Sequence, residues 1–170
     1  YFQLATHPLP DHILQDILPN GEGCWDTALI MSSFRKDAAG RLVFGAMGQP
    51  TRIGDHIHTS WAKRMISQRF PQLENQPLAF FWSGDIAMTT DHIPKAIAFD
   101  KNALCLMGYS GRGIGPGTVL GRGAARALLA GDTSAIPLEI TPRYDERLTQ
   151  LKTAYYEFGA RTIHAMQFRV

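Results

Sequence analysis

Between Leu104 and Gly131 the chain passes from an apolar run through a glycine-rich turn into a helical pattern. Gly108, Gly111, Gly113, Gly115 and Gly117 fall within ten residues, and seven glycines lie between Gly108 and Gly123. Glycine has no Cβ, so such a turn can take positive φ and bring backbone close to a ligand. Pro116 suits a first helical turn, where its missing N–H is not needed. Val119, Leu120, Ala124, Ala127 and Leu128 then recur at helical spacing, and Gly131 is a stop signal. A helix start of this kind offers free N–H groups and the positive end of the helix dipole. It is a site for negative charge on a ligand or cofactor. The alternative is a glycine-rich connection with no ligand at all.

Other phosphate-binding patterns are absent. No Lys-Ser/Thr ending makes a P-loop, and no register gives G-x-G-x-x-G. His56 and His58 stand two apart, which separates them on a helix, and no cysteine or carboxylate cluster completes a metal site. Spacing reveals no Ser-His-Asp or Cys-His arrangement, and no catalytic acid, base or nucleophile is assigned. Asp85 and Asp91, six apart, suit turn or cap duty better than paired catalysis. Arg52 could meet an anionic substrate group or stand as a solvated loop arginine. Trp82 and Tyr109 could line an apolar substrate pocket or pack in the core.

The elements that would position these groups read as follows. Tyr1–Thr6 is a strand, His12–Leu18 a short helix with Asp11 as its cap, and Pro19–Gly23 a turn. Cys24–Asp26 and Ala28–Arg35 look like strands, Lys36–Gly40 like a hairpin loop and Arg41–Ala46 like its return. A helix with Ile57, Trp61, Met65 and Ile66 on one face begins near Asp55, and Pro71 ends it. Leu78–Thr89 is extended with an interruption at Gly84. Lys95–Asp100 and Ala103–Met107 flank a tight turn at Lys101-Asn102. Asp132–Pro142 is a loop, and Arg143–Gly159 has helical spacing through Leu148, Leu151, Tyr155 and Phe158. The expected class is α+β, a mixed, largely antiparallel sheet with flanking helices.

The chain has 170 residues, 45% hydrophobic and 19% charged, with a formal net charge of +2. That suits one globular domain and argues against a nucleic-acid partner. No apolar run reaches membrane length and no signal peptide is visible. Two cysteines, Cys24 and Cys105, make no disulfide framework, and a cytoplasmic location is expected.

Gly108-Tyr-Ser-Gly-Arg-Gly-Ile and its helix resemble the C-terminal flavin-contacting segment of the D-amino-acid oxidase-type FAD-dependent oxidoreductases. Trp82-Ser-Gly-Asp-Ile-Ala-Met-Thr-Thr-Asp-His-Ile-Pro94 resembles that family's Trp, Gly, Thr, Asp, Pro strand motif, and Val43–Gly48 its apolar strand ending in glycines near the substrate. Arg112, where sarcosine-type members carry His, places the likeness nearest the γ-glutamylputrescine oxidase-like branch. The resemblance implies the substrate domain of that fold over 1–107, a flavin-contacting turn and helix over 108–131 and a helical tail over 132–170. It implies FAD as cofactor, with Gly111, Arg112, Gly113, Ile114, Gly115, Gly117 and Thr118 at the flavin and Arg52, Trp82 and Tyr109 at a small-molecule amine. Thr118 would either donate to a flavin oxygen or cap the helix. Sarcosine-type members carry a substrate-holding lysine where this chain has Gly115, which favours a plain or polyamine-like substrate. The family's N-terminal FAD-binding half has no counterpart here, so the chain reads as a C-terminal portion, inactive without that partner. Apolar surface left uncovered would favour a homo-oligomer. The competing reading is a non-catalytic module that binds a small anion or a protein through the same fold.

Overall fold

The computed structural model describes residues 1–167, apart from the side chains of Arg52 and Ile53. The fold is α+β, and the chain forms two compact units, Tyr1–Gly84 with the chain from Gln150 onward, and Asp85–Thr149.

The first unit is built on an antiparallel sheet of β1 (Phe2–Thr6), β2 (Cys24–Trp25), β3 (Ser32–Lys36), β4 (Leu42–Ala46) and β5 (Leu78–Ser83), in the order β2-β3-β4-β1-β5. Strand alternation sends Phe2 and Leu4 of β1 and Leu42, Phe44 and Ala46 of β4 to one face, where all are buried. Helix α2 (Arg52–Arg69) covers that face with Trp61, Ala62, Met65 and Ile66, at the i, i+4, i+5 spacing of a helix stripe. Helix α4 (Thr149–Met166) lies against α2 through His164, whose ring stacks on Trp61 at 3.7 Å. Arg64 of α2 donates to the carbonyls of His164 and Gln167, satisfying orphan groups at the end of α4.

The second unit holds β6 (Lys95–Asp100), β7 (Ala103–Met107) and β8 (Ile140–Thr141), ordered β7-β6-β8, with β8 parallel to β6. Helix α3 (Ile114–Ala130) packs on this sheet through Ala127 beside Ala96 and Ile136. Gly123 lets the turn after α3 fold back against the helix: a Cβ there would stand 2.4 Å from the Ala135 carbonyl oxygen. Gly131 ends α3 in the left-handed conformation, as its position implies.

Several expected boundaries move, each for a local reason. The first helix, α1 (Asp11–Leu14), is one turn long, and Pro10, not Asp11, stands at its cap. The strand expected from Ala28 starts only at Ser32. The Asp26 carboxylate draws the preceding loop in, accepting from the Ala28 and Ser32 N–H groups and the Ser32 hydroxyl. Helix α2 starts at Arg52 rather than Asp55, so Arg52 is a helix residue, not a loop one. The extended run from Leu78 ends at Ser83. Helix α4 starts at Thr149, later than Arg143, and runs on through Ala160 to Met166. Phe168–Val170, part of the expected tail, lie outside the described residues.

Asp26 also pairs with Arg69 at 2.7 Å. Burial works to raise its carboxyl, but the Ser32 and Ala28 donors and the Arg69 charge outweigh it and hold the group below the usual carboxylate range. Asp26→Ala should cost about 1–3 kcal/mol in urea unfolding at pH 7. The wild-type advantage should disappear as pH falls through the lowered carboxyl pKa, because only the ionised form accepts from all these donors.

Candidate functional site

The glycine turn leaves β7 at Gly108, which is buried at φ +76° with Thr89 so close that a Cβ would lie 2.6 Å from its methyl. Ser110 and Gly111 continue at positive φ, and the Arg112 N–H closes the turn on the Tyr109 carbonyl at 3.0 Å. The turn is anchored from the 84–94 segment: the Ser110 N–H donates to the Ala87 carbonyl, and the Thr89 N–H donates to the Ser110 hydroxyl. Thr89 is itself buried and donates to the Ile93 carbonyl at 3.1 Å. Thr89 and Ser110 were not singled out from the sequence, although both fall inside the motifs quoted for the resemblance.

Helix α3 then begins with Gly113 at its cap. No side chain caps it, and its first turn holds no acidic residue. By helix geometry the N–H groups of Ile114 and Gly115 have no partner within the helix, and Pro116 has none to offer. Ile114 is 92% exposed, and Gly115 has open space where a side chain would begin. The Tyr109 ring lies along this start, 3.5 Å from where a Cβ of Gly113 would be and 3.8 Å from that of Gly117. The structure therefore gathers Tyr109, Gly111, Arg112, Gly113, Ile114, Gly115 and Gly117 at one point. Arg112 is exposed there and forms no ion pair among the described residues. The Thr118 hydroxyl donates to the Ile114 carbonyl at 2.8 Å, the back-bond of a helix interior, so it does not cap the helix. Asp91 serves a turn, accepting from the Ile93 N–H and pairing with Lys95. The Lys95 hydrogen bond, helped by the Ile93 N–H, lowers its carboxyl to about 2.

Trp82 and Arg52 belong to the other unit. Trp82 pairs in register with Gln3, which pairs with Gly45, on the sheet face opposite α2. The Gln3 amide lies over Gly45, where a Cβ would come within 2.1 Å of it. Trp82 and Phe80 stand exposed on this open face, and the Arg41 guanidinium lies 5.3 Å from the Phe80 ring centre. β4 and β5 both end at the edge marked by Phe2, with Ala46 on one side and Ser83 on the other. The turn leading to Arg52 thus leaves the sheet at the end where Trp82 sits. The Arg52 side chain lies outside the described residues. His56 is exposed and His58 buried, the divergence that helical spacing requires.

No family model matches the chain, and no solved structure matches it. It is similar to the probable oxidoreductase OrdL of Haemophilus influenzae, 29% identical over 166 residues that cover 92% of this chain and 37% of the relative. It is similar to the probable oxidoreductase OrdL of Rhizobium meliloti, 27% identical over 164 residues covering 96% and 36%. A third relative is the γ-glutamylputrescine oxidoreductase of Escherichia coli, 25% identical over 130 residues covering 76% and 30%. The chain spans about a third of the length of these relatives. The likeness to oxidoreductases, a γ-glutamylputrescine one among them, is the one the motifs suggested.

Proposed function

We propose that this chain is the substrate-side and flavin-contacting portion of an FAD-dependent oxidoreductase that oxidises the C–N bond of an amine. The observation that carries the reading is the bare start of α3, uncapped and free of acidic side chains, in a chain similar to oxidoreductases. The residues present fit the electron-rich edge of a flavin. Gly111, Gly113, Gly115 and Gly117 keep side chains out of the way, the Ile114 and Gly115 N–H groups with the helix dipole attract negative charge, and Arg112 adds a cation. Bound FAD would supply the two-electron acceptor for hydride transfer. With that acceptor bound, the substrate would lose a hydride from carbon and a proton from nitrogen, and the resulting imine would take up water to yield a carbonyl compound and an amine or ammonia. Trp82 would form an apolar wall for the substrate, Arg52 would meet an anionic group on it, and Tyr109 would brace the glycine turn.

On this reading the ADP part of FAD is held by a further portion of a longer, cytoplasmic protein. That portion, or a second copy, would cover the apolar residues that α4 leaves exposed, Leu151, Tyr155 and Phe158 among them. The same exposed stripe is what favours a second reading, a non-catalytic module that docks on another protein.

Expressing the complete open reading frame that encodes this chain separates the two. The enzyme reading expects a yellow protein with visible flavin bands that an amine bleaches anaerobically. Arg112→Ala should weaken FAD retention about tenfold or more, the scale of one charge-assisted hydrogen bond. A colourless product that neither binds added FAD nor reduces a dye with any amine overturns it.

A further inference from the structure

His58 and His164, fully buried between α2 and α4, take no part in the site described above. Their Nδ1 atoms are 2.8 Å apart. A hydrogen bond between two such atoms needs one donor and one acceptor, so it holds a single proton. Glu157 settles the arrangement. Its Oε1 is 3.2 Å from His58 Nε2 and can only accept there, which puts the His58 proton on Nε2. Neutral His58 then presents a bare Nδ1 and accepts from the Nδ1–H of His164. That leaves His164 Nε2 as a buried lone pair, and it is indeed without a hydrogen-bond partner. The chain Glu157–His58–His164 is therefore satisfied as far as it can be only while both rings are neutral.

An extra proton has two places to go. On His58 Nδ1 it faces another donor unless His164 moves its own proton to Nε2. On His164 Nε2 it creates a buried cation. Both routes end with an N–H at Nε2 that has no acceptor, in the core against Trp61.

We propose that Glu157, His58 and His164 form an acid-sensitive latch, which locks α4 and the Gly48–Thr51 turn onto α2 and opens when the histidine pair takes up a proton. The same groups hold the turn. Glu157 Oε2 accepts the Gln49 N–H at 2.6 Å. Arg161 donates to Glu157 Oε1 at 2.6 Å and to the Thr51 hydroxyl at 2.7 Å. Gly48 lies directly on the His58 ring, where a Cβ would approach within 2.7 Å. The charged groups facing the pair are Asp55 and Arg64 from α2 and Glu157 and Arg161 from α4, while β1 contributes only the Phe2 ring, stacked on His58 at 5.3 Å. Asp55 and Glu157 favour a proton on His58, but burial comes first, and with Arg161 it holds that ring below the usual imidazole range. Burial, then the His58 and Arg64 charges, push His164 down to about 3.

With folded values below the unfolded one, near 6.5, the unfolded chain binds more protons, so stability falls as pH drops below about 6.5 and keeps falling toward 3 for His164. Each suppressed ring costs up to about tenfold in the folding equilibrium per pH unit.

The test compares urea unfolding of the 170-residue chain at pH 7.5 and 5.5 with that of His164→Gln, whose amide can still donate to His58 but cannot titrate. The wild type should lose about tenfold more in its folding constant than the variant, the full share of one suppressed ring over that interval, and at pH 5.5 its α4 amides should exchange ahead of those of β1 and β4. Equal acid losses in the two proteins overturn the latch. If the variant does not fold, nitrogen-15 imidazole spectra of the wild type decide. His164 protonated on Nδ1 and bare on Nε2 down to pH 5.5 supports the latch, and both rings titrating near 6.5 overturn it.

Discussion

Trp61→Ala should cost the first unit about 3–5 kcal/mol, the upper range for an emptied aromatic site. Trp61 is fully buried and joins every layer of that unit. Its ring meets Phe44 of β4 edge-on at 5.7 Å and Phe2 of β1 at 6.5 Å. On the other side it stacks on His164 of α4, and its N–H donates to the Gln167 side chain at 3.0 Å. Truncation would open a cavity among β1, β4 and α4 and leave the Gln167 acceptor unpaired, so transfer, cavity and hydrogen-bond losses fall at one place. Domains of this size have about 5–15 kcal/mol in all, so the variant should be largely unfolded well below the wild-type midpoint. Urea titration followed by far-ultraviolet circular dichroism measures it. Trp82→Ala is the control: that ring is 44% exposed on the open sheet face, and its loss should stay within about 1 kcal/mol. Comparable losses for the two would mean that the open face carries as much of the packing as the covered one.

The parts that local chemistry decides were legible in the sequence. Lys95–Asp100 and Ala103–Met107 form the expected hairpin, with Asn102 at positive φ in the turn. Glycine and proline fix where α3 begins, and Gly131 where it stops. Helix α4 was harder to bound because its apolar periodicity points away from its own core. Leu151, Tyr155 and Phe158 are all exposed, Phe158 by 73%, as is Leu148 just before the helix, while the buried face consists of Ala160 and His164. A hydrophobic stripe ordinarily marks the face a helix turns to its own core, and in α4 it does not. The His58–His164 pair could not be read either. The two residues are 106 apart, each looks like a lone histidine on a helix, and only the packing of α4 on α2 makes them neighbours. For the candidate site, the glycine turn was legible as the link from β7 into α3, but its support from Thr89 and Ser110 depends on a fold-back of the 84–94 segment that spacing does not reveal.

On the proposed reading, Gly115→Asp should leave the fold intact, or slightly firmer, and lower the proposed FAD-dependent amine oxidation at least a hundredfold. Nothing stands within 4 Å of where the new Cβ would be, and the position is already helical, so the side chain enters without strain. Replacing a glycine in a helix recovers a few tenths of a kcal/mol, and an aspartate in the first turn adds about 0.3–1 kcal/mol against the dipole. The wild-type first turn holds no acid to compete with it. The same carboxylate would put a fixed negative charge where the proposed site receives one. Two like charges about 4 Å apart at an effective dielectric near 20 repel by about 4 kcal/mol, more than a hundredfold in affinity. Gly115→Ala separates charge from bulk, since it adds a methyl without a charge and should cost far less. Thermal unfolding and amine-dependent dye reduction on the two variants read the two effects independently. A Gly115→Asp protein that melts no earlier yet fails to oxidise amines ties the function to the bare start of α3. One that keeps both its midpoint and its activity moves the electron-rich edge of the cofactor elsewhere and leaves the glycine turn as a structural connection between β7 and α3.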